Sequence, residues 1–388
     1  MAARWWRSVA AVSAWQVTAS VCFYSVFAST QFVHAAFDVS NLLVGVLITA
    51  LMVGYTVALF PMGAAVDAYG EKTVLGAGLA GLGGASLALY AAPGFASLAA
   101  AVVALGVLYA VAMPGTNAAI VSSVPTARRN VAMGIKQVGV TAGSGIGALL
   151  VTGLAGTRYG WRAGFLAAAV VAFALAAAFL TLYEGSAGTG TLSVPDVRGL
   201  FAYVEYRRVT LAGAFLGAGL FTTTGYATVY LNHGLGLSAT VAGVTLALAQ
   251  VSGSVGRVVA GHVSDALDGP LVRTTARILL AQAVAAAALF LLVPFVSGTA
   301  GAVVCFVALG FVILGFTGVY YSCIGAIAPA DEIGAATAGG QTALNVGAVV
   351  APPVFGFVAD AGRYLDAWWF LAALSLAGAG LLVSLARD

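Results

Sequence analysis

Charge is what this sequence has least of. Asp, Glu, Lys and Arg make up 7% of its 388 residues, against about 25% in a soluble domain. That excludes a soluble globule, whose surface must be covered by polar groups. Cysteine is nearly absent too. The three present, Cys22, Cys305 and Cys323, all fall inside apolar runs, which excludes a disulfide framework and any cysteine-based metal spacing. Of the sixteen basic residues only Lys72 and Lys136 are lysine. No Asp or Glu lies deep in an apolar run, because Asp67, Asp265 and Asp360 all sit at run ends. A carboxylate proton relay of the kind used by pumps therefore has no obvious member. No nucleophile–base pair or metal-ligand set is visible. The chain is not expected to be an enzyme, no cofactor is called for, and no nucleic acid is expected as a partner.

What the sequence does hold is apolar length. Hydrophobic residues account for 61% of the chain, gathered into about a dozen runs near 20 residues, each long enough to cross a bilayer as a helix. Hydrocarbon offers the backbone no partners, so such runs must bond internally, and strand-length alternation is absent. The predicted fold is all-α and integral to the membrane, with spans near 9–35, 41–66, 73–91, 95–123, 130–156, 161–183, 208–232, 238–264, 275–296, 299–327, 334–359 and 366–386. Asp38-Val39-Ser40-Asn41 opens the second span and Ser238 the eighth with capping chemistry. Arg4 and Arg7 followed by apolar sequence resemble a signal peptide, but the run is too long for one and reads as the first span.

Between spans 2 and 3 the chain reads Gly63-Ala64-Ala65-Val66-Asp67-Ala68-Tyr69-Gly70-Glu71-Lys72. Gly63 and Asp67 share a helix face, and a bare Gly lets another helix approach. Asp67 sits at a helix C-terminus, where the dipole opposes its charge, so a positive partner is expected. Gly70 can close the helix with a positive φ. The pattern returns 198 residues later at Gly261 and Asp265. In these residues the chain resembles the major facilitator superfamily, whose signature reads Gly-x-x-x-Asp-x-x-Gly-x-(Arg/Lys). Gly63, Asp67, Gly70 and Lys72 match it, Tyr69 replaces the usual basic residue, and the second copy is looser. The resemblance covers essentially the whole chain. It implies twelve transmembrane helices in two pseudo-symmetric six-helix halves.

The longest polar interruption, from Glu184 to Tyr206, reads as a flexible linker. The expected division is a bundle over 1–183, a cytoplasmic linker over 184–207 and a second bundle over 208–388. A second echo supports two halves: Gln137, Gly143 and Gly147 correspond to Gln341, Gly347 and Ala351 at a spacing of 204. Short loops rich in Arg and Lys stay inside. With the N-terminus cytoplasmic, eleven basic residues fall inside, among them Lys72, Arg128, Arg129, Arg207, Arg208, Arg273 and Arg277. Arg158, Arg162 and Arg363 fall outside. Both termini are expected in the cytoplasm, and the location expected is the cell membrane.

A charged side chain at mid-membrane costs about 2.5–3.5 kcal/mol on insertion scales, so each one is a functional candidate. Lys136 and Arg257 stand out. The resemblance brings spans 5 and 8 to the central pathway, where two cations suit an anion and Arg offers a fork to a carboxylate. The nitrate-porter branch carries a further Arg in span 2, and here that position is Leu59, so nitrate is not the expected cargo. The competing reading is that both side chains snorkel to the interface. Neutral candidates for substrate contact are Tyr24, Asn117, Gln137, Tyr226, Gln250, Tyr320 and Asn345. Gln31, Tyr109, Thr222, Thr223, Thr224, Tyr321 and Gln341 lie nearby in the same spans. Gly139, Gly143, Gly145 and Gly147 form a small-residue strip on span 5 for close helix packing. His34, His233 and His262 sit at span ends, where an interfacial or structural role is expected.

These observations converge on a monomeric secondary transporter in the lipid bilayer, moving a small molecule by alternating access, with small organic anions favoured. The Asp67 loop would act as a gate by binding span 11 or Arg128 or Arg129. Two rivals stand beside this reading. One is an exporter of neutral or apolar metabolites, and the other a non-transporting sensor or scaffold.

Overall fold

The structure, a computed structural model, describes residues 2–125, 128–186, 188–192, 197–329 and 332–387. Fourteen α-helices follow in chain order. They are α1 (Ala2–Phe37), α2 (Asn41–Tyr69), α3 (Glu71–Ala91), α4 (Phe95–Tyr109), α5 (Ala112–Ser123), α6 (Arg129–Ala155) and α7 (Ala163–Leu182). Then come α8 (Val204–Val229), α9 (Ala239–Ala266), α10 (Leu271–Leu292), α11 (Gly298–Ile313), α12 (Phe316–Ile327), α13 (Ile333–Asp360) and α14 (Tyr364–Arg387). No strand occurs among the described residues. Counting α4 with α5 and α11 with α12, eleven elements are long and apolar enough to cross a membrane. The twelfth, α8, has 26 residues and begins with Glu205, Arg207 and Arg208. The fold is the twelve-span helical one expected.

Spans 4 and 10 differ from expectation in being broken. Helix α4 stops at Tyr109 and α5 starts at Ala112; α11 stops at Ile313 and α12 starts at Phe316. The first break has a local cause. Pro114 carries no N–H and its ring clashes with the carbonyl four residues back, at Ala110. The second break has no proline four residues on, and Gly315 stands at the joint. Both breaks occur at the same place in the repeat, since 110 and 314 are 204 apart.

Caps explain the other ends. Ser40 accepts the Leu43 N–H at 3.3 Å and Ser238 accepts that of Val241 at 3.3 Å, as the sequence suggested. Helix α1 ends with Val39 N–H bonding His34 C=O at 3.3 Å. Asp38 takes the left-handed position there at φ 49°, a place more often filled by Gly.

By contacts the chain forms two units: Met1–Ser29 with Ala50–Val194, and Thr30–Thr49 with Pro195–Asp388. In the first, α3 packs on α7 and α4. The glycine strip of α6 lies against α1: a Cβ on Gly143 would press on Ser20 Cβ at 2.6 Å, and one on Gly147 on Ser25 Oγ at 3.0 Å. In the second unit, α13 packs on α8, α14 on α10 and α9 on α11.

The stretch expected to be a flexible linker is partly ordered. Thr189 N–H and Gly190 N–H bond the carbonyls of Asp67 and Ala68 at 2.8 and 3.0 Å. Residues 199–202 form a 3-10 turn leading into α8. The Pro195-Asp196 centre of the expected linker lies outside the described residues.

Candidate functional site

In the first unit the site grows from the glycine strip. Because Gly139 and Gly143 let α6 sit against α1, Lys136, one turn before Gly139, is carried inward. It is 3% exposed, and its Nζ donates to Asn117 Oδ1 of α5 at 2.6 Å. It does not snorkel. Around it runs a chain of neutral groups. Thr116 bonds Gln16 at 3.4 Å, Gln16 bonds Ser20 at 3.2 Å, and Ser20 meets the Tyr109 hydroxyl at 3.2 Å. Tyr109 stands at the end of α4, beside the break, and stacks on Phe23 at 4.1 Å. Tyr24 is half-buried at 6.5 Å from Tyr109. Gln137, next to Lys136, is half-buried as well. Among the described residues the ammonium bonds no carboxylate.

In the second unit the corresponding level is also polar. Asn117 and Tyr321 are 204 apart, as are Gln137 and Gln341. Where Asn117 of α5 receives Lys136 of α6, Tyr321 of α12 donates to Gln341 of α13. Gln341 then donates to Asn345 at 2.8 Å, and the Nδ2 of fully buried Asn345 has no partner among the described residues. Arg257 of α9 is half-buried. Its Nη2 makes a long 3.5 Å contact with the Leu314 carbonyl at the break in span 10, an acceptor it shares with the Thr317 hydroxyl at 3.2 Å. Its stem lies over Gly318, where a Cβ would meet Arg257 Cγ at 2.8 Å. Gln250, two turns earlier on α9 and 6% exposed, has an unpartnered Nε2.

Two of the predicted contacts are structural instead. The Tyr226 hydroxyl donates to the carbonyls of Asn41 and Pro352 at 2.5 and 3.1 Å. That of Tyr320 donates to Gly340 at 2.9 Å.

The gate residues depart further from expectation. Gly70 does adopt a positive φ, 81°. Asp67 is exposed and makes no ion pair with Arg128 or Arg129. Arg129 instead caps the end of α5, donating to Val121 and Val124 carbonyls at 2.7 and 3.2 Å, and Arg128 is exposed. A Cβ on Gly63 would make only an ordinary 3.8 Å contact with Pro114, and one on Gly261 would meet nothing. No close helix approach requires either. Lys72 packs against Gly185, and Asp265 is exposed.

Sequence reasoning missed the best-held carboxylate of this loop, Glu71. It is 2% exposed and accepts from Ser122 Oγ at 2.8 Å, from Ser186 N–H at 2.9 Å and from the Ser186 hydroxyl. Its place in the first turn of α3 suits the helix dipole. That acidic first turn was the one readable signal; the burial comes from the linker folding back over it.

Comparison with known proteins fits this architecture. Monocarboxylate transporter 13 of Rattus norvegicus is 28% identical over 264 residues, 66% of this chain and 60% of that protein. The chain thus spans less than two thirds of that relative's length. The gallate transporter of Pseudomonas putida is 27% identical over 257 residues, 57% of each. A bacterial homologue of the human lysosomal transporter Spinster, solved inward-facing and occupied, has a TM-score of 0.75. It shares 17% identity over 97% of this chain and 94% of its own, a likeness of fold alone. The Major Facilitator Superfamily pattern matches residues 10–352. With nearly the whole chain inside that match, this multi-pass membrane protein belongs to the Major Facilitator Superfamily.

Proposed function

We propose that the protein carries a small organic anion, a carboxylate, across the cell membrane by alternating access. The observation that supports this most is Lys136, a buried ammonium whose one side-chain bond among the described residues is to a neutral amide. Removing an ion from water costs several kcal/mol, and a neutral acceptor returns only part of it. An anionic ligand supplies the missing charge. Relatives named for monocarboxylates and gallate point to the same class. Arg257, with its planar fork, is the second cation and would be tested separately.

Binding of a panel of short aliphatic and aromatic monocarboxylates to the purified protein, followed by counterflow in liposomes, tests the reading. Lys136→Gln should weaken carboxylate affinity about tenfold or more, since a charge-assisted bond contributes about 1.5–3 kcal/mol. The variant should still fold, because an unpaired buried charge is removed. Equal affinity of folded wild type and variant for every carboxylate that binds would overturn the anion assignment.

A further inference from the structure

At the turn between α1 and α2 the second unit contains a tightly made docking joint. Residues 30–49 are held there by α8, α13 and α14. Thr30 donates to the Gly225 carbonyl at 2.8 Å. Thr49 donates to the Val349 carbonyl at 2.6 Å, the acceptor that Pro353 releases four residues on. The backbones of Gly45 and Pro352 touch so closely that no Cβ fits at Gly45. At the tip, Asp360 of α13 accepts Asn41 N–H and Nδ2 at 2.7 and 2.9 Å and Leu42 N–H at 2.8 Å. A helix begins with unpaired N–H groups and a partial positive charge. Asp360 thus caps α2 from a helix more than 300 positions away, while Ser40 takes the next N–H.

Two histidines meet beside this cap. The rings of His34 and His233 lie 4.9 Å apart at 36°, and His233 Nε2 is 3.4 Å from the Gln31 carbonyl. His233 sits in a π-turn, Tyr230–Gly234, an uncommon distortion that tends to mark functional positions.

We propose that His34 and His233 form a proton-sensitive latch that releases the 30–49 hairpin from α8 and α13 when both rings are charged, with Asp360 as its fixed anchor. This goes beyond the carboxylate reading and does not depend on it. The charged neighbours set the sign. Asp38 in the turn, Asp360 on α13 and the His233 ring are the charged or titratable groups that act on His34. A second imidazolium at stacking distance meets a like charge. On α14, Arg363 is paired with Asp366, and Tyr364 donates to Asn41 Oδ1 at 3.4 Å. Histidine is the side chain whose ordinary range mild acid crosses, so the latch is assigned to the facing pair.

The test places spin labels at Ala36→Cys and Thr299→Cys, both exposed positions of the second unit, in the full-length protein in lipid nanodiscs. The native cysteines are buried. Lowering the pH from about 7.5 to about 5.5, across the histidine range, should add a longer inter-label distance. The undocked fraction should rise severalfold over this change. Replacing both histidines, H34F with H233F, should abolish this pH response. Asp360→Asn should raise the undocked fraction at both pH values. A wild-type distance distribution that does not change with pH overturns the proposal, as does a response that survives in the double-histidine variant.

Discussion

Lys136 and Glu71 are both almost fully buried in the first unit, and they are balanced differently. Glu71 has three donors and a helix N-terminus around it, so its charge is met by dipoles. Lys136 has one neutral acceptor. The contrast separates a structural charge from one available to a ligand, a distinction the sequence could not make, because span position alone set the candidates. Lys136 could be read from its place inside a span. Glu71 could not, since its burial depends on Ser186 returning from 115 residues away. The clamp predicts that Glu71→Ala frees the strap 184–192. Losing bonds to a charged acceptor costs about 2 kcal/mol, roughly a thirtyfold rise in the open population. Limited proteolysis of a cleavage site placed at Thr189 should quicken to match, with little change in carboxylate binding. Unchanged proteolysis would mean the strap is held by its bonds to the Asp67 and Ala68 carbonyls alone.

Among elements, the crossing of α9 with the broken span 10 carries the clearest consequence. Gly253, Gly256, Gly310 and Gly315 bring the two helices into backbone contact, and a Cβ on Gly256 would press on the Phe311 carbonyl. The first unit repeats the arrangement: a Cβ on Gly54 would strike the Val103 carbonyl, and one on Gly106 that of Leu51. Gly106 and Gly310 are again 204 apart. Helix periodicity and length made all twelve spans legible, but not the breaks. Pro114 signalled the first; the second has only Gly315, one glycine among 50. Two substitutions in this crossing should behave differently. Gly256→Ala collides with backbone, which cannot swing away, and should destabilise the protein by about 1–3 kcal/mol, visible as a lowered unfolding temperature. Gly318→Ala collides only with the Arg257 stem. The flexible side chain can move, so stability should hold while any ligand affinity that depends on Arg257 falls. If both variants lose stability alike, the joint is less adaptable than its contacts indicate.

For the whole molecule, the two ends of the helices differ sharply in basic residues. Lys72, Arg128, Arg129, Arg198, Arg207, Arg208, Arg273 and Arg277 lie in or beside the loops that join spans 2–3, 4–5, 6–7 and 8–9. The loops between spans 5 and 6 and between spans 11 and 12 hold Arg158, Arg162 and Arg363. All three are engaged: Arg158 donates to the Tyr159 hydroxyl, Arg162 donates to the Ala92 carbonyl at 2.9 Å and Arg363 pairs with Asp366. Positive charge in short loops is retained on the cytoplasmic side during insertion, so the asymmetry predicts an orientation with the Glu71 clamp inside and the His34–His233 pair outside. That orientation determines which compartment's protons the histidine pair would sense. It predicts that a cysteine replacing Thr157, exposed in the loop after α6, reacts with a membrane-impermeant maleimide in intact cells. A cysteine replacing Glu184, exposed at the start of the strap, should react only after permeabilisation. The reverse pattern would invert the assignment and move the proposed proton response to the cytoplasm. Equal labelling of both sites in intact cells would contradict a single insertion topology.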